Sequence, residues 1–147
     1  TCIRNKTGIS KHMNTLKDFI ESNAIDVISV SEDEILQAQQ ILKLQFDTDY
    51  LSYLQICGQL EFEYLEFYGL GVKPDSYLNL IQIYSLLKEN VTYPQKALPL
   101  LDLGDGHYSI YDLETGHVLE WTKDGVVSKL SQTLEQYLLD TLEKVKA

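Results

Sequence analysis

The chain of 147 residues is short of cysteine, of long apolar runs and, past its first twelve residues, of positive charge. Each shortage excludes a class of protein. Two cysteines, Cys2 near the start and Cys57 in an apolar segment, make no disulfide framework, so the core has to hold the fold. A reducing cytosol is the simplest home, which makes the expected location cytoplasmic. No apolar stretch approaches the ~18 residues needed to cross a bilayer. Arg4 and Lys6 are not followed by the apolar region of a signal peptide. There is no G-x-S-x-G nucleophile elbow, no internal repeat, and Gly69-Leu70-Gly71 falls far short of a dinucleotide fingerprint.

What is present is acid and tyrosine. The net charge is −10 and the chain holds ten tyrosines. Residues 1–12 carry Arg4, Lys6 and Lys11 and no acid, which leaves 9 basic and 22 acidic residues from position 13 onward. Such a surface repels phosphate backbones, so nucleic acid is not the expected ligand. It attracts a basic partner and speeds the encounter with one. Residues 1–12 lack apolar periodicity and run into His12-Met13, and they read as an extension or a remnant of expression ahead of one domain at 13–147.

The order of elements is α+β. Leu16, Phe19 and Ile20 keep helical spacing up to about Asn23. Ser31-x-x-Glu34 is a capping box, opening a helix with Ile35, Leu36, Ala38, Ile41 and Leu42 as its apolar face. "DTDYLSYLQICG" predicts a helix burying Tyr50, Leu51, Leu54 and Cys57 and ending at Gly58. "LEFEYLEFY" reads as one half-exposed strand with a bulge at Leu65-Glu66. "PDSYLNLIQIYSLLKEN" reads as a helix capped by Asp75 or Ser76, with Leu78, Ile81, Leu86 and Leu87 inward. Strands follow at 98–103, 107–111 and 117–122, then a hairpin at Lys123-Asp124-Gly125 leading into Val126 to Leu130, and a last amphipathic helix from Leu134.

The stretch "LPLLDLGDGHYSIYDLETGHVLEW" gathers five acids, two histidines and the one tryptophan, and invites a catalytic or metal reading. A hairpin centred on Glu114 sets His117 against Tyr111 and His107 against Trp121. The two histidines are then roughly 13 Å apart at ~3.4 Å per residue, and zinc ligands must lie within about 2.3 Å of the ion. Asp102-x-x-Asp105-Gly-His107 lacks the later ligands of a calcium loop. Asp102 with Asp105, or Glu61 with Glu63, could pair as acid and base, but an acidic chain makes such pairs by chance. The stretch reads as scaffold: no metal, no cofactor, no catalytic residue.

Four segments in order, "DYLSYLQICG", "EFEYLEFYGLG", the stretch just quoted and "LEQYLLDTLEKV", resemble the SUKH superfamily over Met13 to Val145. Members often carry Leu-Pro before the tyrosine helix, where this chain has "LQFDTDY". The group includes immunity proteins of bacterial toxin systems and is related to a fungal regulator of cell-wall synthesis. The resemblance implies an α+β domain, an antiparallel sheet flanked by helices, without cofactor or catalytic residues. It also implies binding to a cognate toxin, commonly a nuclease-type domain, which agrees with the charge. Glu61, Glu63, Asp102, Asp105, Asp112 and Glu114 are the expected partner-binding carboxylates. A regulatory interaction scaffold of the fungal type is the alternative, and a small hydrolase using Asp102, Asp105 and His107 comes third.

Overall fold

A computed structural model of the protein describes residues 13–146; the expected extension over residues 1–12 lies outside the described residues. The chain forms α1 (Asn14–Ser22), α2 (Glu32–Leu42), α3 (Thr48–Ile56), β1 (Glu61–Phe62), β2 (Leu65–Glu66), α4 (Leu80–Leu87), β3 (Ala97–Gly104), β4 (His107–Asp112), β5 (His117–Thr122), β6 (Gly125–Lys129) and α5 (Leu134–Lys146). It is α+β, with an antiparallel meander β3-β4-β5-β6 flanked by helices and a separate β1-β2 hairpin.

The helix starts follow from side chains that take up orphan amides. Ser31 and Glu34 close the capping box in both directions at α2. Asp47 caps α3: its Oδ1 accepts from Tyr50 N at 2.9 Å, while its Oδ2 accepts from the Tyr111 hydroxyl at 2.6 Å. One carboxylate thereby starts a helix and ties it to β4. Only Ile35, Ala38 and Leu42 of α2 are buried; Leu36 and Ile41 stay exposed, a narrower face than the apolar pattern implied.

Three readings of the sequence are corrected. "LEFEYLEFY" is not one bulged strand. Phe62 pairs with Leu65, so Glu63 and Tyr64 form a two-residue turn, with Glu63 left-handed at φ 55°. The slip in alternation marked that turn. The cap of α4 is Asn79 rather than Asp75 or Ser76, because Ser76 is committed to a turn of its own, accepting from Leu78 N, while Asn79 Oδ1 accepts from Ile81 N and Gln82 N. Its inward face is accordingly Leu80, Ile83, Tyr84 and Leu87, and Leu86 is exposed.

The third correction is the register of the β4-β5 hairpin. Asp112 opposes His117 and Tyr108 opposes Trp121, one residue away from the expected pairing. The cause is Asp112, whose carboxylate accepts from Glu114 N and from the Thr115 hydroxyl, while its carbonyl accepts from Gly116 N. These bonds close a four-residue loop centred between Glu114 and Thr115. His117 shares the face of Asp112, an odd number of residues from His107, so the two histidines lie on opposite faces of the sheet.

Burial on consecutive residues, Ala97 to Leu101 in β3 and Ser109 to Tyr111 in β4, shows the middle of the sheet covered on both sides. Helix α4 packs on β3, and α5 packs on β5, α1 and α3. Glu135 of α5 accepts from Leu16 N at 3.0 Å, fastening α1. Tyrosine hydroxyls bond inward: Tyr53 to the Tyr68 carbonyl at 2.7 Å and Tyr93 to the Ala97 carbonyl at 2.8 Å. Phe67 bridges to Leu101, and Tyr68 N donates to the Leu100 carbonyl, so the chain after β2 runs along the outer edge of β3. Its approach to the end of α3 is so close that a Cβ on Gly69 would fall 2.0 Å from the Gly58 carbonyl oxygen.

Candidate functional site

The chain covers the edge of β3 only as far as Leu101. Before that contact, Leu65 and Glu66 are held by Phe62 and Glu61 in the small hairpin and do not pair with the end of β3. A groove of about 720 Å³ opens between them. One wall is Tyr64, Leu65 and Glu66, with Tyr77 beside them. The other is Leu101 to Gly104, and Glu120 of β5 and the outer turns of α5 complete it.

Leu103 is the extra residue of a β-bulge, since pairing jumps from Asp102 to Gly104 on β3 with no such jump on β4. The bulge leaves Leu103 43% exposed at the groove. Tyr64, placed at the hairpin tip by left-handed Glu63, is 79% exposed; Tyr77, in the turns before α4, is 67% exposed. These are the two most exposed aromatic rings among the described residues, and both line the groove.

Three carboxylates line it as well, each fixed through one oxygen. Glu66 Oε2 accepts from the Tyr77 hydroxyl at 2.6 Å. Asp102 Oδ1 accepts from Gly104 N at 2.8 Å. Glu120 Oε1 lies 3.2 Å from His107 Nε2, within hydrogen-bond reach, and both side chains are half-buried. The negative field shows in the neighbouring phenols. The bond to Glu66 pushes the Tyr77 phenol up, and Tyr68 is pushed up by burial first and then by Tyr108, Asp102 and Glu66. Across the hairpin Glu61 directly opposes Glu66, a like-charge pair that costs stability. Lys144 is the one cation among the described residues of the lining.

The six carboxylates expected from sequence are not brought together. Asp102 is in the groove wall, and Asp105 is nearby at the tip of the same strand pair, where Asp105 and Gly106, both at positive φ, make the mirror-image turn of a two-residue hairpin. Glu61 and Glu63 border a separate hollow with Asp26 and Phe62. Asp112 and Glu114 sit on the loop at the far end of β4, where Asp112 closes the loop. Glu66, Tyr64, Tyr77 and Glu120 were not singled out from sequence. The signal for Tyr64 lay in "EFEYLE", an aromatic ring set between acids where the alternation breaks. Among the described residues no three His, Cys, Asp or Glu side chains converge on a point that could hold a metal ion. No described helix is long and apolar enough to cross a membrane.

Residues 32–138 match the SUKH family model described as SMI1-KNR4 cell-wall. A crystal structure of a protein from Pseudomonas syringae pv. tomato aligns with a TM-score of 0.68 and 18% identity, over 80% of this chain and 86% of that one. At that identity the likeness is one of fold. No curated protein matches in sequence.

Proposed function

Because the chain belongs to the SUKH family, whose members are generally non-enzymatic immunity or regulatory proteins, we propose that it is an immunity protein that binds and neutralises a cognate bacterial toxin of the polymorphic or contact-dependent kind. The observation that carries this reading is the groove: the two most exposed tyrosines stand beside three carboxylates, with one lysine in the lining. Tyrosine supplies large contact area at low entropic cost and concentrates at the centres of interfaces. The Glu61–Glu66 opposition supports it too, since a like-charge pair that weakens the hairpin is well explained by a cationic partner that relieves it.

The toxin domain is of a nuclease type and basic, because an acidic surface competes for the groove such an enzyme offers to phosphates. The protein acts in the cytoplasm, as a stoichiometric binder without cofactor or catalysis. Of the carboxylates expected from sequence, Asp102 belongs to this face, Asp105 lies beside it, Glu61 and Glu63 flank it, and Asp112 and Glu114 are peripheral. Attraction between rim charges acts mainly on the association rate.

The test is expression of the toxin domain encoded beside this gene, alone and with the protein. Rescue of growth, together with association that slows as salt rises, is the expected result. If the two proteins do not bind, the immunity reading is wrong. The family description, SMI1-KNR4 cell-wall, favours one second reading, a regulatory interaction scaffold, for which capture would recover a partner that is not a toxin.

A further inference from the structure

We propose that the groove is a receptor for arginine side chains, so that the partner enters it with a segment carrying at least two arginines. The inference rests on reading this groove as the partner-binding face, and it adds which residue the face recognises.

The three carboxylates are alike in one respect. Each is pinned by one oxygen, Glu66 by the Tyr77 hydroxyl, Asp102 by Gly104 N and Glu120 by His107, and among the described residues the second oxygen of each accepts no hydrogen bond. A pinned carboxylate loses little rotational freedom when a donor arrives, so less of the binding free energy is offset by ordering. The three do not converge on a point fit for a metal ion. Their occupant must therefore be extended and carry several donors. The exposed rings of Tyr64 and Tyr77 stand against these carboxylates, and that combination separates the two basic side chains. A guanidinium is planar, stacks on a ring face and offers five donors in a fixed fork, while a lysine ammonium is a compact, strongly hydrated charge. A volume of about 720 Å³ lies within the range, roughly 300–1,000 Å³, that encloses a few side chains. Lys144, which forms no ion pair between described residues, occupies the rim as a weak internal competitor.

The experiment titrates the full chain with acetylated tetra-arginine and tetra-lysine peptides at equal ionic strength. Tetra-arginine should bind about tenfold more tightly, the equivalent of one good cation–π and fork contact. Glu66→Gln with Asp102→Asn should weaken tetra-arginine binding by about tenfold without lowering the melting temperature. Tyr64→Ala with Tyr77→Ala should abolish the preference for arginine, Tyr77→Phe should retain it, and Lys144→Gln should strengthen binding. Equal binding of both peptides, or no effect of the Glu66 and Asp102 changes, overturns the proposal. The same variants separate it from the immunity reading. A toxin that binds them all like the parent chain leaves immunity standing and overturns the groove, whereas arginine binding in the groove with no binding of the neighbouring toxin supports the groove and removes immunity.

Discussion

Tyrosine is used in two opposite ways in this molecule. Around α3 and the sheet, Tyr50, Tyr53, Tyr93 and Tyr111 are buried, with Tyr50 and Tyr111 stacked at 6.2 Å and Tyr93 set edge-on to Trp121 at 5.0 Å. At the groove, Tyr64 and Tyr77 point the same kind of ring at solvent. The hydroxyl makes the difference legible. In the core the hydroxyls of Tyr53, Tyr93 and Tyr111 reach a carbonyl or carboxylate of the protein's own frame, whereas at the groove the Tyr77 hydroxyl orients the carboxylate of Glu66 in the groove wall. A ring with an apolar body and a polar tip serves either purpose, and the surroundings decide which.

The comparison is broken most severely in the core. Tyr53→Ala should cost about 3–5 kcal/mol in denaturant unfolding, because it empties a site with no access to solvent. Within the same cluster the hydroxyls should part company. Tyr53→Phe leaves the buried Tyr68 carbonyl short of a donor and should cost about 1 kcal/mol. The Tyr50 hydroxyl is buried with no partner among the described residues, so Tyr50→Phe should be neutral or stabilising in the same assay.

Asp47→Ala comes next, at about 2–3 kcal/mol, since it removes a helix cap and strands the Tyr111 hydroxyl together. Alkali then tests the buried set as a whole. Burial pushes the phenols of Tyr50, Tyr53 and Tyr93 well up from their ordinary value near 10. In the unfolded chain they ionise at that ordinary value while the folded chain keeps its protons. Their contribution is therefore complete below pH 10 and lost above it, at about 1.4 kcal/mol per pH unit for each ring. Stability that stays flat to pH 11 would mean these rings are wetter than their packing implies. Tyr64→Ala should sharpen the contrast from the other side, shifting the melting temperature by no more than about 2 °C while toxin association suffers. Smallest of all, Glu61→Gln should raise the melting temperature slightly by removing one half of the opposed pair, and a drop would show that the two carboxylates do not repel.

Much of the fold could be read in the sequence where local chemistry decided it. The Ser31–Glu34 box, the stop at Gly58 and the Asp105-Gly106 turn all follow from neighbouring residues, and the four strands of the meander were placed to within a residue or two. Errors arose where one side chain selected among several short-range options. Asn79 outcompeted Ser76 for the cap because Ser76 was already bound in a turn, and Asp112 moved a hairpin by one residue. The groove was the least legible part. Asp102 was named, but its neighbours Glu66, Tyr77 and Glu120 come from three other segments and meet only because Phe67 bridges to Leu101 and the hairpin then turns away. Charge density along the chain favoured turns, where acids often have conformational work to do, as at Asp105 and Asp112.

The close approach of Gly69 to Gly58 has a consequence for how this protein can change over generations. A single methyl there would collide with backbone, so the crossing that sets one wall of the groove tolerates almost no variation. Tyr64, Glu66, Tyr77, Asp102 and Leu103, by contrast, sit at turns, at strand ends and on a bulge, outside the packed interior. On the reading of the groove as the partner-binding face, substitutions at those five positions should alter what it accepts and leave the frame as it was. Such a binder, on the immunity reading, can follow a toxin that keeps altering its own surface, one exchange at a time, with each intermediate still folded.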